Sequence, residues 1–140
     1  MILVDTPVWS LALRRKAADL GAADRRVTQL LYALVDEGRV QLLGPVRQEL
    51  LSGLREESQF RRLRDYLRDF PDVPIETEDY EEAARASNRC RSIGVADSPV
   101  DMLMCAIAAR HRWEIFTVDQ DFVRYRTALK IDLFSSPGGR

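Results

Sequence analysis

The chain has 140 residues, 46% of them hydrophobic and 31% charged, with 21 basic and 22 acidic side chains for a formal net charge of −1. That length is one domain, which buries roughly two-thirds of the surface its unfolded form exposes and needs no metal or disulfide merely to fold. The balance excludes a disordered chain and a nucleic-acid module acting through bulk positive charge alone, and no apolar run approaches the ~18 residues of a membrane span.

Ile2-Leu3-Val4 is a short apolar run, predicted as a buried strand, that reaches Asp5 without any basic segment. No export signal is therefore expected, and Cys90 and Cys105 are expected as reduced thiols of a cytoplasmic protein. Thr6-Pro7 predicts an N-cap and a first helical proline, opening a helix through Trp9 and Leu13. Asp24 is the expected cap of the next helix, whose apolar residues Val27, Leu30, Leu31, Leu34 and Val35 keep a helical period up to Gly38.

Val40 to Leu43 reads as a second strand, and Gly44-Pro45 opens a helix carrying Glu49, Leu50 and Leu54. Glu56 to Phe70 is a charged helix with the stripe Phe60, Leu63, Leu67 and Phe70; Val73 to Glu76 is predicted as a short third strand. Thr77 is the expected cap of a polar helix running to Arg91 and closed by Gly94. Ser98-Pro99 opens a helix through Met102, Leu103, Ala106 and Arg110, followed by strands over Glu114 to Val118 and Ile131 to Phe134. Strands alternating with helices imply an α/β fold: one domain over residues 1–134, a mainly parallel sheet with helices on both faces. Residues 135–140 are Gly/Pro-rich and predicted to be a flexible tail.

In open parallel sheets, sites form outside the carboxyl ends of strands, near helix N-termini. Asp5 ends the first strand, Asp119 ends the strand after Glu114, and Asp121 follows two residues on. Asp101 is in the first turn of the Ser98-Pro99 helix, and Glu49 is in the second turn of the helix opened by Pro45. Four acids converging on one rim would repel strongly, since two unit charges about 4 Å apart cost roughly 4 kcal/mol at an effective dielectric of 20. They would take up protons or bind a hard cation, and oxygen-only donors suit Mg²⁺ or Mn²⁺. Such a centre points to hydrolysis of a phosphate ester, with nucleic acid the leading substrate.

Each acid also has an ordinary structural reading. Ser98 and Asp101 fit a capping box, Asp5 fits a turn residue at a helix start, Glu49 an exposed helical acid, and Asp119 and Asp121 loop acids. An α/β phosphatase or phosphoryl-accepting domain is a second enzymatic reading. Against it, Asp5-Thr6-Pro7 lacks a second aspartate two residues on, and neither lysine lies beside a strand-end motif. A non-catalytic interaction domain, with the acids as caps and turns only, is a third.

The opening Ile2-Leu3-Val4-Asp5-Thr6-Pro7-Val8-Trp9-Ser10 resembles the start of PIN-domain ribonucleases, VapC-type toxins of toxin–antitoxin systems in particular. So do Asp101 to Ala109 and Ile115 to Phe122, in order and spacing across nearly the whole chain. The resemblance implies an acidic quartet of Asp5, Glu49, Asp101 and Asp119, with Asp5 and Asp101 as direct ligands of Mg²⁺ or Mn²⁺. It implies supporting hydroxyls at Thr6 and Thr117, with Asp121 as an outer acid. It also implies an α/β/α sandwich, an RNA substrate, a homodimer and a small VapB-like antitoxin that covers the site. Pro7 departs from the family, whose members often carry a small hydroxyl residue there, and Asp97 adds an acid to the preceding loop.

RNA must still be drawn to an acidic pocket. Arg61, Arg64 and Arg68 share one helix face, though Glu57, Asp65 and Asp69 can pair with them. Arg14-Arg15, Arg89-Arg91 and Arg110-Arg112 are alternative phosphate contacts. Arginine suits phosphate, but with Lys16 and Lys130 the only lysines, a codon bias explains the excess equally well. Trp9, Trp113 and Tyr125 are candidate base-stacking side chains, with core or surface packing the preferred role of each. His111, the single histidine, sits near a helix end between two arginines, a structural setting.

Overall fold

Four short strands, β1 (Ile2–Val4), β2 (Val40–Gln41), β3 (Glu114–Phe116) and β4 (Asp132–Leu133), form one parallel sheet in the order β2-β1-β3-β4. They belong to a computed structural model that describes residues 1–135; the expected tail lies outside the described residues but for Ser135. Ile2 stands opposite Val40 on one side and Glu114 on the other, and Val4 opposite Phe116. All three β1 residues are buried, so both faces of the sheet centre are covered, as a parallel sheet requires.

Seven α-helices among the described residues supply that cover: α1 (Thr6–Leu13), α2 (Ala22–Asp36), α3 (Gly44–Leu51), α4 (Glu57–Leu67), α5 (Thr77–Ser92), α6 (Pro99–His111) and α7 (Asp121–Tyr125). The predicted α/β architecture is what the chain adopts. Helix α6 is apolar nearly all round, burying Met102, Leu103, Met104, Cys105, Ile107 and Ala108, which makes it a core helix rather than a surface one. It packs along α5, and the two are joined by Asp79, whose carboxylate takes a bidentate pair of bonds from Arg110 at 2.7 and 2.8 Å.

Several local expectations shift. Asp5, not Thr6, caps α1; Gly21, not Asp24, precedes α2; Glu76, not Thr77, precedes α5. Val73 to Glu76 forms no strand: one parallel bridge joins Leu42 to Asp72, and Val73 N donates to Leu42 O at 3.1 Å. Pro71 precedes Asp72 and Pro74 follows Val73, and neither has an N–H for a ladder, which limits the pairing to that single step. A 3₁₀ turn at Ala17–Asp19 and the five-residue α7 are additions the periodic pattern did not contain.

The strand order decides where a site can form. From β1 the chain moves to one side to make β2, then returns past β1 to make β3. The ends of β1 and β3 therefore flank the switch point, where loops part and leave a crevice. Asp5 N donates to Phe116 O at 2.9 Å, closing the two strand ends together.

Candidate metal centre

Asp5 leaves the end of β1 and turns directly into α1. Its Oδ1 accepts from Thr6 N at 2.8 Å, and its Oδ2 accepts from the Thr117 hydroxyl, also at 2.8 Å. Thr117 follows β3, so one hydrogen bond spans the switch point. The Thr117 oxygen in turn accepts from Asp119 N at 3.0 Å, and Asp119 Oδ1 accepts from Asp121 N at 2.9 Å. This short run of side-chain-to-backbone bonds folds the loop after β3 back over the end of β1.

On the other flank, α3 brings Glu49. Val46 and Leu50 of that helix are buried, which leaves the intervening Glu49 directed outward, where its Oε2 accepts from the Thr6 hydroxyl at 2.8 Å. The fourth acid comes from α6. Ser98 caps this helix by accepting from Asp101 N at 3.2 Å, one half of the expected capping box. The Asp101 side chain does not complete the box; its Oδ2 accepts from the Tyr125 hydroxyl at 2.6 Å.

Asp5, Thr6, Glu49, Asp101 and Asp119 thus line one cleft of about 540 Å³, together with Pro7, Gln48 and Ser52. Two constellations overlap in it. One oxygen each of Asp101, Asp119 and Asp121 lie within 4.8 Å of one another, whereas Asp5 and Glu49 stand further round the wall. Asp121 is half exposed and held by Arg124 at 2.6 Å, which turns it to the rim and leaves Asp101 and Asp119 as the pair common to both groups.

The electrostatics are those of acids crowded out of water. Asp5 is pushed up to about 6, chiefly by burial and further by the charges of Asp101 and Asp119, against the hydrogen bonds from Thr117 and Thr6. Asp101 is raised as well, by burial first, with Asp119 and Asp121 adding repulsion that the Tyr125 and Ser98 bonds only partly offset. A divalent cation relieves both. Each carboxylate here keeps unused lone pairs after its hydrogen bonds, and no histidine or thiolate shares the set, so the donors fit a hard oxygen-seeking ion such as Mg²⁺ or Mn²⁺.

Tyr125 is the site residue whose role sequence reasoning did not find, although the packing it preferred for this residue is what the structure shows. It is 1% exposed and cannot stack a base; it lies under the cleft as a donor to Asp101. Burial and that bond push its phenol well above the usual range, so it stays protonated. No local signal marks this role, because Tyr125 meets Asp101 only through tertiary packing. Trp9, 0% exposed against Phe70, is also excluded as a stacking platform, while Trp113 stacks on His111 at 4.0 Å. Several arginines are committed elsewhere: Arg61 to Glu57, Arg64 to Asp65, Arg91 to Asp97 and Arg110 to Asp79. Cys90 and Cys105 are free and buried, and burial raises both thiols, so neither serves as ligand or nucleophile.

Among solved structures, the chain is similar to FitAcB from Neisseria gonorrhoeae, with a TM-score of 0.75, 23% identity, and 96% of this chain and 97% of that one covered. It is similar to VapBC2 from Rickettsia felis bound to a fragment of promoter DNA, with a TM-score of 0.72 at 12% identity over 98% and 100% of the two chains. A toxin–antitoxin complex from Klebsiella pneumoniae gives 0.66 at 20% identity over 87% and 90%. At these identities the likeness is one of fold. No curated protein matches the sequence. The family model described as the PIN domain matches residues 2–128, and with its acids gathered at the β1–β3 switch point the chain belongs to the PIN-domain family.

Proposed function

We propose that the protein is a metal-dependent endoribonuclease and the toxin of a VapBC-type toxin–antitoxin pair. The observation that supports this most is the meeting of Asp5, Glu49, Asp101 and Asp119, from four separate stretches of chain, around one oxygen-only cleft. These four residues would hold Mg²⁺ or Mn²⁺, which when bound neutralises phosphate charge and supplies a water of lowered pKa. Asp119, with one oxygen held by Asp121 N, presents the other to receive a proton from the attacking water. Thr117 and Thr6 fix the orientation of Asp5 and Glu49, and Tyr125 that of Asp101. Water adds at phosphorus, the bond to the leaving ribose oxygen breaks, that oxygen takes a proton from solvent, and Asp119 returns its proton to solvent.

The similar structures include one named as a toxin–antitoxin complex, and FitAB and VapBC2, each bound to a DNA fragment, which supports a small antitoxin as partner. A homodimer and a cytoplasmic site of action belong to the same proposal, in keeping with two buried, unpaired thiols. The test is RNA cleavage by the purified chain with Mg²⁺ or Mn²⁺ and with chelator. Asp5→Asn and Asp101→Asn are each expected to lower the rate by roughly 10³-fold or more while leaving the circular dichroism spectrum intact. Wild-type rates in both variants would remove the reading.

A further inference from the structure

A second cleft, of about 750 Å³, lies at the far end of α1, between the residues that follow this helix, the loop joining α3 to α4, and one face of α4. Its walls carry Arg14, Arg15, Lys16, Arg55 and Arg62 against one acid, Glu56. In a chain of net charge −1 that is a local excess of four positive charges. All five cations are exposed, and among the described residues none makes an ion pair or a side-chain hydrogen bond, unlike Arg61 and Arg64 on the same helix α4. The Arg14 guanidinium stands 3.9 Å from where a β-carbon at Gly53 would be, so the two walls meet there. Tyr66, half-buried beside Leu63, gives the charged walls an aromatic and apolar floor.

Two elements run between this cleft and the acidic one. Helix α1 begins at Thr6 on the acidic cleft and ends at Leu13 on the basic one, a run of about 12 Å. Ser52 lines the first and its neighbour Gly53 the second. We propose that the Arg14–Lys16 and Arg55–Arg62 cleft binds the phosphate backbone of single-stranded RNA a few nucleotides from the bond that is cut, with Tyr66 as a base platform. The proposal rests on the nuclease reading for the identity of its ligand. A groove of unpaired cations with an aromatic floor is how single strands are held without sequence preference, and four of the five cations are arginine, the side chain best matched to phosphate.

The experiment is fluorescence anisotropy of the full chain with a labelled uridine oligomer of about 12 nucleotides, in chelator so that nothing is cut. An Arg14→Ala/Arg55→Ala variant is expected to bind about tenfold more weakly, and its plot of log affinity against log salt to flatten by about 1.4, the share of two phosphates. An Arg61→Ala/Arg85→Ala variant, which removes two cations already paired within their helices, is expected to change affinity less than about twofold. Wild-type affinity and salt slope in the first variant would overturn the proposal. So would displacement of the RNA by a glutamate oligomer at lower concentration than by unlabelled RNA, since the cleft would then take an acidic polypeptide. Loss of RNA binding in the first variant, in a protein whose wild type cuts no RNA, would sink the nuclease reading and leave the cleft assignment standing. Cleavage by the wild type with unchanged binding in the variant would sink the cleft assignment alone.

Discussion

At the head of α1, Asp5 is only 5% exposed and carries a carboxyl raised from 3.8 to about 6. The unfolded chain releases that proton near 3.8 and the folded chain near 6, so between these values the folded state holds more protons. Stability of the metal-free protein therefore falls as pH rises through this window and stays lowered above it, by about 3 kcal/mol for a shift of that size. Asn at this position still accepts from Thr6 N as a cap but carries no charge to strand. Asp5→Asn is accordingly expected to raise the melting temperature of the metal-free protein at pH 7.5 and not at pH 4, measured by calorimetry in chelator. A variant that abolishes cleavage and stabilises the fold is the mark of a group held for function against stability. Below about pH 6 a divalent ion must displace the proton, so Mn²⁺ affinity by titration calorimetry is expected to fall up to tenfold per pH unit. Tyr125 offers a second test at this scale. Tyr125→Phe removes one donor to Asp101 and lets its carboxyl rise further. The expected result is a cleavage profile whose acid limb moves to higher pH, with rates near wild type at the alkaline end.

Helix α3 is packed into the core by Val46 and Leu50 and tied further by one polar side chain. Arg47 donates from Nε to Asp72 Oδ1 at 2.8 Å, from Nη1 to Leu67 O at 2.9 Å, and from Nη2 to Phe70 O. It thereby ties the helix bearing Glu49 to the end of α4 and to the segment that bridges Leu42. Lysine carries all its donors on one nitrogen and cannot span three oxygens bonded by three separate nitrogens, and methionine donates none. Arg47→Met is expected to cost about 2–4 kcal/mol, because two carbonyls lose their partner, and the loss is read as a lower midpoint in urea unfolding with the slope unchanged. Asp79 and Arg110 do the same for α5 and α6. Burial would raise the Asp79 carboxyl, but the bidentate bond from Arg110 and the Glu76 N–H outweigh it and leave it lowered. The long elements were legible because their apolar residues recur, as in Val27 to Val35. Helix α7 was not, since five residues give no period to detect. Val73 to Glu76 looked like a strand by composition, and Pro74 within it, with Pro71 just before, decided otherwise.

For the whole molecule, the places of Asp5, Asp101 and Asp119 were readable because each sits by a strand end or a helix start, and the strand order brings those places together; Glu49 reaches them from the second turn of α3. What could not be read was how they are held. The Thr117–Asp5 and Tyr125–Asp101 bonds join residues 112 and 24 positions apart, and no local pattern encodes such meetings. The same holds for the charge map. Composition showed a near-neutral chain; folding sorts it into an acidic crevice and a basic one at opposite ends of α1.

The pairing of β1 with β3 has a temporal meaning for the living cell. During synthesis β1 can meet β2 once residues 40–41 are made, but its β3 side stays open until residues 114–119 follow, so every shorter nascent chain lacks Thr117 and Asp119 beside Asp5. Such long-range closure is slow compared with helix formation. A chain cut short before β3 is therefore expected to lack the assembled acidic cleft, and so is any proteolytic product cut between α1 and β3 whose halves part.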